Sequence, residues 1–466
     1  MTASVGRVFG GGDDRSGANL PLISGLAFDD VLAWRPIGPV RVREFLTDAG
    51  KVARALPPAA WVVNLCEDRY HFAVVFAACL LTGKTSLQPA SHSSQTLGQL
   101  AQDFEGAYAV TDTGFEQLPL PRVAFADLAM GAAEPVAEMP MVAGERTVAV
   151  LFTSGSTGLP QAHGKTWAML VANGRAEAEG LGLLGSHTAL VGTVPVQHSY
   201  GFESTFLMAL HGGCAFWSGR PFYPQDVVEA VQAVPRPRMV VTTPFHLGNL
   251  LASDVGWPAL DAWLSATAPL ETALAEQVEA RSAAPVFEIY GSTESSQLAW
   301  RRTTQGPAWQ LLPQVELVQS GDVTSAQGGH VGGCVPLSDL IQLQEHGRFL
   351  LMGRHADLIN IAGKRTSLAY LNHQLLAIDG VDDGAFFMPD ESAGDEAGVH
   401  VVRLAAFVVA PGLARPALMA ALRTRVDAIF LPRPLVWVEA LPRNPMGKLP
   451  RAALQALFEQ IKKVSP

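Results

Sequence analysis

Thr153-Ser154-Gly155-Ser156-Thr157-Gly158-Leu159-Pro160 is the stretch from which the chain is best read. The apolar, β-branched run Val148-Ala149-Val150-Leu151-Phe152 leads into it and predicts a buried strand. Hydroxyls, two glycines and a proline follow at once. Glycine lets a backbone turn and approach a ligand closely. A strand that ends in such a turn offers clustered N–H and O–H donors, which suit phosphate oxygens. Gly164-Lys165-Thr166 nearby imitates the end of a P-loop. That motif requires glycine at 159, where Leu159 stands, and Pro160 interrupts the would-be loop, so a P-loop is excluded.

The 466 residues exceed one ordinary domain. With 48% hydrophobic residues the chain can bury a large core, which excludes global disorder. A net charge of −10 argues against a nucleic-acid binder. The cysteines Cys66, Cys79, Cys214 and Cys334 form no CxxC, and the histidines show no HExxH spacing. Residues 1–17 lack the apolar core of a signal peptide, and the apolar run 72–82 is too short to cross a bilayer. A cytoplasmic protein without membrane insertion is expected.

Moving outward, helices are predicted over 42–56, 69–81, 166–180 and 270–283, and strands over 61–65, 107–111, 191–194, 239–242 and 286–289. This alternation predicts an α/β fold with largely parallel sheet, in which ligands sit at the carboxyl ends of strands. From about Gly347 the chain becomes turn-rich and then reads as a compact α+β unit. The expected division is 1–353 and 354–466. A second loop, Asn444-Pro445-Met446-Gly447-Lys448, precedes a final helix from Arg451 to Lys462.

Three further stretches complete a set: Pro195-Val196-Gln197-His198-Ser199-Tyr200-Gly201, Tyr290-Gly291-Ser292-Thr293-Glu294, and Ser338-Asp339 with Gly353-Arg354. Their order and spacing resemble the adenylate-forming superfamily of acyl-CoA synthetases, peptide-synthetase adenylation domains and luciferases. The resemblance implies a large N-terminal adenylation domain, a small mobile C-terminal domain, ATP and Mg²⁺. It implies activation of a carboxylic acid to an acyl-adenylate with release of pyrophosphate, then transfer to a thiol. Such chemistry needs no protein nucleophile, only the positioning of two anions and relief of their repulsion.

By matching positions, the resemblance gives Thr153, Ser154, Gly155, Ser156, Thr157 and Gly158 the β- and γ-phosphates. Tyr290 and Gly291 would meet adenine, Thr293 the α-phosphate, and Glu294 the Mg²⁺. Asp339 would accept from the ribose hydroxyls with support from Arg354. Lys448 would lie between carboxylate and α-phosphate, and His198 beside the substrate carboxylate. Gln161 stands where relatives carry a lysine, and Lys165 is the nearest replacement. Ala356 stands at the hinge position, with Asp357 next to it.

The wording of 64–72, of the stretch after Pro160 and of 361–368 is similar to small AMP-ligases of aryl polyene and xanthomonadin-type pigment clusters. That implies a hydroxybenzoate-like acid and an acyl carrier protein as acceptor. Tyr200, Ser204, Phe245, Thr267 and Ser292 are the expected acid pocket, mixing aromatic and hydroxyl groups. Arg301, Arg302, Arg423, Arg425, Arg433 and Arg443 could face an acidic carrier. Two other readings stay open: coenzyme A as the acceptor, and a non-catalytic acid- or nucleotide-binding protein on the same fold.

Overall fold

The computed structural model describes residues 17–89, 91–114, 118–130, 134–153, 161–321, 323–354, 358–361, 364–389, 404–443 and 449–464. The chain forms two compact units. The first comprises 1–319, 325–336 and 346–348; the second comprises 320–324, 337–345 and 349–466. The strands Asp339–Gln344 and Arg348–Arg354 thus group mainly with the C-terminal unit, ahead of the division expected at 353.

The first unit is α/β, as its alternation of strands and helices dictates. One six-stranded sheet runs in the order 161–166, 147–153, 85–88, 61–64, 108–111, 122–124. All its neighbours are parallel except the first pair. In a second sheet, strands Val286–Ser292, Ala262–Ser265, Arg238–Thr242, Ala189–Gly192, Ala215–Trp217 and Val31–Arg35 are parallel neighbours in that order. Ser296–Arg302 extends this sheet antiparallel to Val286–Ser292.

One local expectation needs correcting. The loop after Thr153 was expected to pass toward a helix. Instead Gln161–Thr166 is a strand, antiparallel to Thr147–Thr153, with Gln161 opposite Thr153. The helix begins only at Trp167, where the Thr166 hydroxyl accepts from the Met169 N–H.

Helix Arg69–Leu81 is apolar and buried on nearly every side, as a helix between layers must be. Asp68 caps it, accepting from the N–H groups of Tyr70 and His71. Its first residue, Arg69, is fully buried. The guanidinium donates to the carbonyls of Trp217, Gly219, Gly192 and Val194, which lie at strand ends of the second sheet. Gly192 leaves room for it, since a Cβ there would sit 2.7 Å from Arg69 Nη2.

The segment after Ser199 starts as α-helix and widens into a π-helical turn over Phe202–Leu207. It lies hard against helix Trp167–Gly180, where a Cβ on Gly174 would come 2.5 Å from the Leu207 carbonyl oxygen. The second unit is α+β. Its strands Asp383–Phe387, Ala405–Val409 and Leu435–Trp437 pack on helices Leu368–Leu376 and Arg415–Arg425 through Leu371, Leu375, Phe386, Leu418 and Leu422. Among the described residues no helix is long and apolar enough to cross a membrane.

Candidate active site

Four adjacent parallel strands of the second sheet end on one edge, at Gly192, Thr242, Ser265 and Ser292. The motif segments begin there. Val194 to Gly201 follows the first strand, Phe245 the second and Thr267 the third, while the turn Thr293–Ser295 follows the fourth. This is the edge at which parallel α/β sheets take ligands.

The segments are tied to one another. The Ser199 and Thr293 hydroxyls lie 3.3 Å apart. His198 caps its own short helix, with Nδ1 accepting from the Tyr200 N–H at 3.3 Å. An accepting Nδ1 leaves the proton on Nε2, so the ring presents an N–H donor, the right group for a carboxylate. Gly291 is required where it stands, because a Cβ would meet the Ser296 carbonyl oxygen and lie 2.7 Å from Gln297 Cα. Tyr290 packs its ring against Trp309 at 5.6 Å.

A second chain of contacts runs from strand Thr147–Thr153. Thr153 Oγ1 lies 3.2 Å from His163 Nε2, and the same nitrogen lies 3.7 Å from Glu294 Oε1. Burial lowers the His163 pKa; Glu294 raises it and Lys165 lowers it further. The imidazole is therefore neutral near pH 7 and leaves the Glu294 charge available. Lys165, two residues on and on the same strand face, is 1% exposed. Its ammonium donates to the Glu294 carbonyl at 3.1 Å and to Ser296 Oγ at 2.9 Å. Lys165 was expected to offer the γ-phosphate a cation; it is instead directed inward, while Gln161 and Ala162 are the exposed residues on that strand.

Beneath the edge lies a group of buried acids that the sequence motifs do not contain. Among the described residues neither carboxylate oxygen of Glu177 or of Glu203, nor the Asn173 amide or the Ser204 hydroxyl, makes a well-formed hydrogen bond, although Ser204 lies beside Glu177 and Asn173 beside Glu203. Burial pushes Glu177 up to about 8, with Ser204 opposing and Glu203 adding to the rise. Burial pushes Glu203 up to about 7, held back by Lys165 and by the nearby Ser296, Asn173 and Gln297.

The expected acid pocket divides. The Tyr200 hydroxyl is committed to the Leu264 carbonyl at 2.8 Å, so only its ring can serve a ligand. Ser204 is buried beside Glu177. Phe245 is exposed, Ser292 bonds to Ser295 at 3.0 Å, and Thr267 sits at φ +78° with a buried, unpartnered hydroxyl. Ser154, Gly155, Ser156, Thr157, Gly158, Ala356, Asp357 and Lys448 lie outside the described residues. In the second unit Asp339 opens one strand and Arg354 closes the next.

Three of the arginines read as facing a carrier are already engaged. Arg301 pairs with buried Glu288, Arg302 with Glu279 at 2.8 Å, and Arg443 with Asp383 at 2.7 Å. A crevice of about 450 Å³ beside helix Thr272–Ser282 is lined by Glu279 and Arg302, and it holds none of the motif residues.

The donors around Glu294 are one carboxylate and the hydroxyls of Thr293 and Thr153. Oxygen donors of this kind suit a hard cation. Among the described residues no cluster of three or more His, Cys, Asp or Glu could hold a metal alone. A Mg²⁺ here would be held by Glu294 together with phosphate oxygens of the nucleotide, as this ion commonly is. The residues fit that arrangement.

Residues 57–335 match the family described as AMP-binding enzyme. The chain belongs to the AMP-binding enzyme family. Two 4-coumarate–CoA ligases are among its relatives. That of Halorhodospira halophila is 28% identical over 446 residues, covering 92% of this chain and 100% of that protein. That of Rhodobacter capsulatus is 29% identical over 309 residues, covering 65% and 75%. The fold matches O-succinylbenzoate coenzyme A synthetase of Bacillus subtilis, solved with ATP and magnesium ion, at TM-score 0.76 and 20% identity over 91% of this chain and 96% of that one. As a member of the family this AMP-binding enzyme activates a carboxylic acid as its acyl-adenylate, and it is an ATP-dependent, AMP-forming acid–thiol ligase.

Proposed function

We propose that this AMP-binding enzyme activates a hydroxybenzoate or related aryl acid and passes the acyl group to the phosphopantetheine thiol of an acyl carrier protein. The observation that carries the reading is the convergence of Thr153, His163 and Glu294, through contacts of 3.2 and 3.7 Å, beside Thr293, which meets Ser199 at 3.3 Å where parallel strands end. Mg²⁺, when bound, neutralises phosphate charge. Thr153 and the loop 154–158 hold the β- and γ-phosphates, and Thr293 donates to the α-phosphate. Glu294 faces the metal, and His198 donates Nε2–H to the substrate carboxylate. Tyr290 and Gly291 receive adenine, and Asp339, with Arg354, takes the ribose hydroxyls. Lys448 neutralises the charge that builds as carboxylate oxygen meets phosphorus. Residues 354–466 turn between the two half-reactions. The faces of Tyr200, Phe245 and Thr267 suit a flat ring.

A second reading takes coenzyme A as acceptor. It is favoured by the activity named for both relatives and by the internal pairing of Arg301, Arg302 and Arg443. The test is acid-dependent ATP–pyrophosphate exchange across benzoate, 3- and 4-hydroxybenzoate, cinnamates and medium-chain fatty acids. Turnover is then compared with coenzyme A and with a holo carrier protein. Exchange with hydroxybenzoates and turnover only with the carrier is the expected result. Full turnover with coenzyme A alone would overturn the carrier assignment, and exchange only with fatty acids would overturn the aryl one.

A further inference from the structure

We propose that Lys165, backed by Glu203, is a positioning residue that locks the Thr293–Ser295 turn so that Glu294 is set for the metal-bound nucleotide. This rests on the reading above that Glu294 meets Mg²⁺ and ATP.

The turn joins two antiparallel strands and bends sharply. Ser296, just after it, holds φ +62°, a conformation that side chains disfavour. The turn has its own Ser292–Ser295 bond at 3.0 Å, and a restraint from outside narrows it further to one shape. Lys165 supplies it from the other sheet. Its ammonium bridges the Glu294 carbonyl and the Ser296 hydroxyl, either side of Ser295. Fixing the Glu294 carbonyl fixes the peptide plane, and with it the direction in which the carboxylate leaves the chain. That carboxylate is 41% exposed and has His163 Nε2 as a neighbour. One strand therefore holds the turn twice: Lys165 takes the backbone and His163 faces the side chain.

Stability gives no reason for a cation at this place. Two buried charges of opposite sign are often no better for stability than apolar groups of the same volume. Glu203, itself 1% exposed, supplies the counter-charge from the π-helical turn Phe202–Leu207, with Glu177 behind it. Single π-turns inside helices are frequent at functional sites. The arrangement makes sense if the ammonium is needed for its two directed donors.

The test uses full-length Lys165→Met and the double variant Lys165→Met/Glu203→Gln. The single change removes the ammonium beside buried Glu203 and is expected to lower the melting temperature; the double also removes the carboxyl but leaves a buried amide, so it recovers only part of the loss. ATP binding is measured by calorimetry with and without Mg²⁺. Both variants are expected to bind metal-free ATP as the wild type does and to lose at least tenfold of the affinity that Mg²⁺ adds. In exchange assays the half-activating Mg²⁺ concentration should rise similarly. A cooperatively folded double variant that keeps the full Mg²⁺ effect on ATP affinity would overturn the proposal, leaving Lys165 as a counter-ion only. Wild-type protein that binds ATP with Mg²⁺ yet exchanges pyrophosphate with no acid would instead overturn the ligase assignment, while the calorimetric comparison still decides the role of Lys165.

Discussion

Replacing Glu177 with glutamine should change how stability depends on pH. The carboxylate is buried on helix Trp167–Gly180, both oxygens lack a well-formed hydrogen bond, and Glu203 lies close by. Burial raises it from 4.5 to about 8. Unfolded, the group loses its proton near 4.5; folded, it keeps it until about 8. The native state therefore binds the extra proton in this window, and stability falls as pH rises through it, levelling off above. At about 1.4 kcal/mol per pH unit the loss across the whole window is on the order of 5 kcal/mol. Glu203 adds a smaller fall that ends near 7. Glutamine removes the Glu177 share of the slope, but its buried amide costs about 1–3 kcal/mol for lack of partners. The variant should be weaker than the wild type near pH 5 and stronger near pH 8. Urea unfolding at half-unit steps from pH 5 to 8.5, followed by tryptophan fluorescence, reads this as two curves that cross. Parallel curves would mean that Glu177 is ionised in the folded protein, and the argument from burial would be refuted.

Two further changes probe the site. Gly201→Ala should unfold the start of the helix after His198, because the added Cβ would collide with the Pro195 carbonyl oxygen; a loss of ~2 kcal/mol or more and of acid-dependent exchange is expected, read by thermal melts and exchange assays. Lys448→Ala should cut adenylation by about a hundredfold or more, while thioester formation from supplied acyl-adenylate stays near wild type. Equal loss of both half-reactions would remove Lys448 from its assigned step.

The sequence made the strong elements plain and hid the interior polar ones. Helix Arg69–Leu81 and the strands at 61–64, 238–242 and 286–292 are apolar runs bounded by turn residues, so burial alone dictates them. The candidate edge was legible because its motifs sit where those strands end. Gln161–Thr166 was not, because Gln-Ala-His-Gly-Lys-Thr has no β-branched alternation; it is a strand through pairing with Thr147–Thr153. Its register is what turns His163 and Lys165 to one face, and no local pattern announces that. Asn173 and Glu177 carried a signal that could have been used, polar residues four apart on a helix otherwise lined by Leu170, Gly174 and Ala178. Glu203-Ser204-Thr205 likewise forms a buried polar stretch between Phe202 and Phe206. An acid on a core face asks for a neighbour, and the neighbour, Lys165, came from a distant strand.

The buried guanidinium of Arg69 bears on how this protein can be taken apart. Its helix belongs to the sheet built from residues 61–166, yet its donors are spent on carbonyls at 192, 194, 217 and 219. Strand Val31–Arg35, earlier still in the chain, also lies in the second sheet. A truncated fragment ending before Ala189 would carry an arginine with no acceptors in an apolar seam, and one beginning there would expose the acceptors and lose a strand. Minimal expression fragments and split-protein reporters should therefore keep Arg69 and residues 192–219 on one piece of chain, so that this side chain never loses its acceptors.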